Sequence, residues 1–295
     1  MDPAGRDAGL VHLFLQEEWY KTLLSAVRQP DTVYHYTTAD GFAGIVGEMR
    51  LRATNFSFLN DPSEIQYGKA LALQYLASTL DDLPEPHRDL LEQTCQALET
   101  KVVSESYVAC FTELSDDLSQ WRAYGSSAIE RYCLGFDGSE IASVFSTRPG
   151  SRFAKILYEP KLQKELLASI VQRSLSFVEK NAIDQEGWPR VASTIADVIA
   201  SRLPEFKNPA YKYETEWRVI RWHDRLEHDD LCFETSRKIL RPFLPVSLPT
   251  PLPLKSVQVM APNRREPAIK AAEMLLQKAN LAGVPVTHSA VPFAE

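Results

Sequence analysis

Residues 33–64, VYHYTTADGFAGIVGEMRLRATNFSFLNDPSE, constrain the fold more than any other stretch, because a strand, a helix, a second strand and a capped helix start are compressed into one short run. Over 33–37 the side chains alternate with the period of a strand, which sets Val33, His35 and Thr37 on one face and Tyr34 and Tyr36 on the other. Thr38 or Asp40 then supplies the side-chain oxygen that a helix start needs, and a short helix is predicted to end near Gly47. Extended chain returns over 51–58. The run Asn60-Asp61-Pro62-Ser63-Glu64 follows, with Asp at a helix N-cap, Pro at the first helical position and Glu at the third, and predicts a helix to about Thr79.

Elsewhere the same signals predict a helix over about 8–28, stopped by Pro30, another over 84–103, and a short strand at 107–111. Asp116 or Asp117 can cap a brief helix that places Leu118, Trp121 and Tyr124 near one face. Strands are expected at 131–137 and 152–158, and helices over 160–180 and 188–203. The longest strand candidate is 211–222, YKYETEWRVIRW, rich in aromatic and β-branched residues. Proline recurs so often in RPFLPVSLPTPLP that residues 242–253 read as an extended surface connection rather than a helix or central strand. Strand, helix and strand at 256–260, 268–279 and 284–288 close the chain. Strands and helices mix without strict alternation, which predicts an α+β fold with a substantially antiparallel or mixed sheet. The chain is expected to form a single domain over 1–295, with the N-terminal helix at about 8–28 and a helical insertion at about 160–204.

The 295 residues are 44% hydrophobic, enough for a sizeable core, and their net charge of −7 gives no overall attraction to nucleic acid or anionic lipid. Local clusters such as Arg218, Arg221 and Arg225 can still attract anions. Cys95, Cys110, Cys133 and Cys232 never form a CxxC pair, so neither a zinc site nor a disulfide framework is indicated. The first residues lack a basic and apolar leader pattern, and no run approaches the roughly 20 apolar residues that a membrane span needs. A cytoplasmic setting without membrane association is the expectation.

Period two along 211–222 puts Lys212, Glu214, Glu216 and Arg218 on one face, turning apolar at Ile220 and Trp222. Such a face borders a cleft opening out of a core, or equally forms a solvated edge of alternating charges. His35 between two tyrosines reads as a core or edge histidine, since no second histidine stands near enough for a metal site. Helix capping accounts for 61–64 but does not require Asn60. Trp121 and Tyr124 fit a core as well as a ligand platform. Hydrolase-elbow, P-loop and Rossmann motifs are absent from the sequence.

Two resemblances add to this. The blocks FSFLNDPSE (56–64), ACFTE (109–113), QWRAY (120–124), YETEWRVI (213–220) and VTHSAVPF (286–293) resemble the bacterial family known as domain of unknown function 2971, although a glycine usual shortly after the Trp-Tyr block is not evident. The opening YHYTTADGFAGIVGEMRLRATN (34–55) is similar to ADP-ribosyltransferase domains of the His-Tyr-Glu toxin type. That second resemblance implies an ADP-ribosyltransferase-like fold, with a mixed or antiparallel split sheet flanked by helices.

It also implies that NAD is the substrate, that His35 contacts its adenosine-side ribose, and that Glu214-Thr215-Glu216 stands for the catalytic Glu-x-Glu. Glu216 would then stabilise the oxocarbenium-like charge that builds as the nicotinamide–ribose bond breaks, and Glu214 would orient or deprotonate the acceptor. Tyr67, Trp121, Tyr124 or Tyr36 would stack on nicotinamide, with Thr37, Asn60 and Arg218 completing the binding set. No metal is expected. The acceptor would be a protein or nucleic acid in a bacterial toxin, effector or phage-defence protein, or water in an NAD glycohydrolase. The Ser-Thr-Ser strand of arginine-modifying members is not found. A non-catalytic domain binding a nucleotide, nucleic acid or partner protein is the alternative.

Overall fold

The structure is a computed structural model, and it describes residues 29–59, 61, 63–101, 106–124, 129–148, 150–222, 231–236 and 239–292. Its elements run β1 (Thr32–Thr38), α1 (Ala39–Glu48), β2 (Arg50–Asn55), α2 (Ser63–Thr79), α3 (Glu85–Thr100), β3 (Ser106–Thr112), α4 (Leu118–Ala123), β4 (Arg131–Asp137) and α5 (Gly138–Thr147). They continue with β5 (Ser151–Lys155), α6 (Pro160–Lys180), α7 (Trp188–Arg202), β6 (Glu216–Trp222), β7 (Cys232–Ser236), β8 (Ile239–Ser247), β9 (Leu254–Met260), α8 (Arg265–Lys278) and β10 (Val286–His288). The helix expected over 8–28, together with Asn60 and Pro62, lies outside the described residues.

The chain is therefore mixed α and β, and it divides into two compact units. Among the described residues, one comprises those of 29–55, 107–155 and 213–295, and the other those of 56–106 and 156–212. The first unit is built on a large open sheet, ten-stranded among the described residues, ordered β10-β9-β4-β1-β3-β2-β8-β7, with β6 pairing β3 and β5. Strands β9 and β10 run parallel, whereas β1 with β4, β2 with β8 and β5 with β6 are antiparallel, so the sheet is mixed. Helices flank it: α1 and α5 carry Phe42, Ile45, Val46, Ile141 and Phe145 into its core, each side chain contributing roughly 1.5–3 kcal/mol by burial. Strands β1 and β4 pair along their whole length, but β1 meets β3 only at Tyr34 opposite Thr112. That narrow join sets the position of the site described below.

Local signals explain the turns. Thr38 caps α1, its hydroxyl accepting from Gly41 N at 3.3 Å, and a Cβ at Gly41 would force the Thr37 hydroxyl to move. Asp117 and Asp137 cap α4 and α5, each accepting two backbone N–H bonds.

Three expectations are corrected. Residues 211–222 are not one strand: Pro209–Glu214 form a 3-10 helix, Thr215 turns with φ 42°, and β6 starts only at Glu216. The proline-rich stretch is not merely a surface connection, since Ile239–Ser247 is a nine-residue strand lying between β2 and β7. It tolerates two prolines because Pro242 and Pro245 are an odd number of positions apart, so their missing N–H groups fall on opposite edges and each ladder loses at most one donor. The strand expected over 152–158 ends at Lys155.

The second unit is helical. Helices α2, α3, α6 and α7 bury Leu76, Leu90, Leu98, Leu166, Ile170, Ile195 and Ile199 against one another. Its interior also holds charge: Lys207 meets Glu64 at 3.0 Å and Arg202 meets Glu205 at 3.1 Å, all four residues buried.

Candidate functional site

Strand β3 ends in Cys110-Phe111-Thr112, with Glu113 next in the chain, and this end organises the site. Thr112 Oγ1 donates to the carbonyl of Glu214 at 2.6 Å and accepts from Leu114 N at 3.1 Å, while Glu113 N donates to the carbonyl of Thr215 at 3.2 Å. These bonds grip the chain where Thr215 adopts its left-handed conformation. A regular strand would place Glu214 and Glu216 by its pleat alone. Here a turn clamped to β3 brings both to one small cleft.

That cleft is lined by Tyr34, Tyr36, Cys110, Phe111, Thr112, Gln120, Tyr124, Glu214 and Glu216, and encloses about 240 Å³, its open mouth included. Glu216 is buried at its edge, and Arg218, also buried, grips it with a two-pronged fork: Nε donates to Oε1 at 2.7 Å and Nη2 to Oε2 at 3.0 Å. Beside them, Glu113 accepts from Lys155 Nζ at 2.9 Å and from Trp217 Nε1 at 2.8 Å.

The aromatic wall is fixed from two directions. Tyr36 donates its hydroxyl to the Leu114 carbonyl at 3.1 Å and accepts from Asp117 N at 2.9 Å, so its ring is held against the loop entering α4. Tyr124 closes α4, its N bonded to the Gln120 carbonyl at 3.0 Å. Burial pushes the Tyr124 phenol well above its ordinary range, and the nearby Cys110, Glu216 and Glu214 add to this while Arg218 opposes it. Tyr124 is therefore a protonated hydroxyl facing acidic neighbours. Asp116, at φ 52°, braces the same loop: it accepts from Trp121 Nε1 at 2.9 Å, from Ala290 N at 2.7 Å and from the Ser289 hydroxyl. This gives the terminal VTHSAVPF block a structural role.

His35 stands on the opposite face of β1 from Tyr34 and Tyr36, and it is not among the residues lining the cleft. Its Nδ1 donates to the Cys110 carbonyl at 2.8 Å, and its ring tilts against Phe111 with centroids 5.5 Å apart. Burial holds its pKa below the usual value, with the Cys110 bond opposing. The neutral ring, with its proton on Nδ1, leaves Nε2 as an acceptor. Thr37 packs at the start of α1 instead of entering the cleft.

Trp121 is buried with its ring edge-on to Tyr36 at 4.8 Å, a packing role. Tyr67 belongs to the helical unit, where its hydroxyl donates to Gln163 at 2.8 Å. Of the expected site residues, the cleft thus gathers Tyr36, Tyr124, Glu214 and Glu216, with Arg218 behind Glu216. Sequence reasoning gave no role to Tyr34, Cys110, Phe111, Thr112 or Gln120. The ACFTE and QWRAY blocks held four of these, but only the clamp on residues 214–215 shows why. Among the described residues no group of three His, Cys, Asp or Glu side chains could hold a metal ion, and no helix is long and apolar enough to cross a membrane.

Residues 120–219 match the model of a family described as a protein of unknown function, DUF2971. The matched span begins on α4 at Gln120 and ends within β6, so it takes in Gln120, Tyr124, Glu214, Glu216 and Arg218, while 34–55, 56–64, 109–113 and 286–293 lie outside it. No curated protein and no solved structure matches the chain.

Proposed function

We propose that the cleft beside Glu216 cleaves the nicotinamide–ribose bond of NAD, as an ADP-ribosyltransferase-like enzyme passing ADP-ribose to a protein or nucleic-acid acceptor. The observation that carries this reading is the meeting of Glu214 and Glu216 in one cleft walled by Tyr34, Tyr36, Tyr124 and Phe111. Bond cleavage builds positive charge on the ribose, and a carboxylate already fixed in a partly dry site stabilises it without reorganising at the moment of reaction. The Arg218 fork gives Glu216 that fixed orientation. Glu214, on the clamped turn, is the group available to take a proton from the attacking acceptor.

Most of the cleft's volume of about 240 Å³ is the open mouth, and the interior has room for little more than one water-sized group. The cleft therefore suits a ribose hydroxyl reaching the carboxylates while a ring lies at its mouth against the tyrosines, with the Tyr124 hydroxyl as a donor. His35 takes part by tying β1 to Cys110 of β3 and so setting the spacing of the cleft walls.

One observation favours a second reading. Arg218 engages both oxygens of Glu216, as it would in a structural ion pair of a non-catalytic binding domain. The two are separated by incubating the protein with NAD and measuring released nicotinamide, with Glu216→Gln alongside. Release lost in the variant supports the enzyme. No release together with no NAD binding by the intact protein overturns it, and free ADP-ribose with no labelled macromolecule assigns the acceptor as water.

A further inference from the structure

The other end of β6 carries the opposite chemistry. Arg221 lies directly across the ladder from Ser151 at the start of β5, so the two side chains share a sheet face at neighbouring positions. The residue that leads into β5 is also an arginine: Arg148 follows α5, its carbonyl accepts from Ser151 N at 3.1 Å, and Gly150 at φ 66° makes the turn possible. The Arg148 guanidinium sits over the Phe145 ring at 5.3 Å. Burial lowers the Arg148 pKa, and the like charge of Arg221 lowers it further, so the two guanidiniums feel one another. Among the described residues neither has a carboxylate partner. Ser151 is buried with 7% exposure, and its hydroxyl has no hydrogen-bond partner.

We propose that Arg148, Arg221 and Ser151 form a binding site for the phosphate group of a small ligand. Two arginines anchored to the backbone on either side of Ser151, and its unsatisfied buried hydroxyl, present a donor set that no acidic side chain among the described residues receives. A carboxylate offers only two oxygens to two guanidinium forks, whereas a phosphate offers three and carries about −1.5 to −2 charge, which balances both arginines. Binding requires the covered Ser151 hydroxyl to be exposed by movement of the side chains over it. The chain's net charge of −7 opposes a long polyanion and favours a small phosphate compound.

This site is distinct from the cleft and does not rest on the reading given to it. Arg221 is five positions beyond Glu216, which puts it on the opposite face of the strand and roughly 16 Å along it. A diphosphate whose sugar occupied the cleft would not reach it.

The test is titration calorimetry at constant ionic strength, using inorganic phosphate and a nucleoside 5′-monophosphate, on the wild type and on Arg148→Gln, Arg221→Gln and Arg221→Lys. Both glutamine variants should weaken binding at least tenfold, and Arg221→Lys by less, because it keeps the charge and loses the fork. Tighter binding of the monophosphate assigns a nucleotide, and equal binding assigns phosphate itself. In chloride buffer Arg221→Gln should unfold at the wild-type temperature or higher, since a repulsion is removed, which separates a ligand site from a structural one. Absence of phosphate binding by the wild type, undiminished binding by both glutamine variants, or binding of a single-stranded oligonucleotide alone overturns the proposal.

Discussion

Two buried ion pairs invite comparison, Glu216–Arg218 in the sheet unit and Glu64–Lys207 in the helical unit. Their side chains are similarly covered, with exposures of 5% and 1% against 7% and 8%. Glu216 borders an aromatic cleft, whereas Lys207 stands over the Tyr211 ring at 5.2 Å within a set of helices whose polar groups serve each other. Burial of a charge pair is thus no mark of a site, since desolvation makes such pairs costly wherever they occur. The mark is a pair held in a fixed geometry with one side left open. The cation matters as well: a guanidinium fork fixes the plane of its carboxylate, and an ammonium does not.

The largest effect should come from breaking the first pair. Glu216→Gln removes the carboxylate that both prongs of the buried Arg218 fork engage, and because arginine cannot shed its proton the loss should be about 3–5 kcal/mol in urea unfolding, together with loss of the proposed nicotinamide release. Glu64→Gln removes the carboxylate that Lys207 meets at 3.0 Å, but lysine can neutralise when buried, so a smaller loss of about 3 kcal/mol is expected, with the proposed nicotinamide release retained. If Glu64→Gln proved the more destabilising, the distinction between fork and point charge would fail. If it abolished release, the assignment of chemistry to the sheet unit alone would fail.

Acidification sharpens the same contrast. The folded pKa of His35 lies below its usual 6.5, so the unfolded chain takes up the proton first as pH falls. The stability this histidine contributes is complete above pH 6.5 and is lost as pH drops toward the folded pKa. Amide protection factors, which correct for the slower intrinsic exchange at low pH, should therefore fall in β1 and β3 below pH 6.5 before they do in α6 and α7, and His35→Gln should flatten that dependence. Equal acid sensitivity of the strands in wild type and variant would show that His35 is not the group responsible.

Much of the fold was legible in local signals, and the site was legible only in part. The helix 160–180 opens at Pro160 as its sequence predicts, and Asp117 caps α4, because these features depend on neighbours a few positions away. The failures are non-local. Period two made 211–222 a strand, but the Thr112 hydroxyl and the Glu113 amide, about a hundred positions earlier, hold a turn at 214–215. Proline spacing argued against a strand at 242–253, and neighbours on both sides of β8 overrode it. Glu214 and Glu216 were read onto one face for a reason that does not hold, and they meet in the cleft by another route. Which face of β1 looks into the cleft depended on where β3 joins it, which no pattern within 33–37 could reveal.

The smallest effect separates support of the site from support of the fold. Asp117 and Asp137 cap their helices in the same way, accepting from N–H groups two and three residues on, at 2.9 and 3.1 Å and at 3.0 and 3.1 Å. Alanine at either cap should cost about 1 kcal/mol, because each leaves comparable helix-start donors unmet. The helices differ in what they carry. Gln120 on α4 and Tyr124 at its C-cap wall the cleft, and the Asp117 cap fixes the turn whose backbone N–H holds the Tyr36 hydroxyl, whereas α5 packs against the sheet. Asp117→Ala should therefore lower nicotinamide release by more than its stability loss explains, while Asp137→Ala should leave release unchanged at temperatures where both variants are folded. Equal activity in the two variants would mean that the cleft walls do not depend on the α4 cap, and that β1 and β3 alone set their positions.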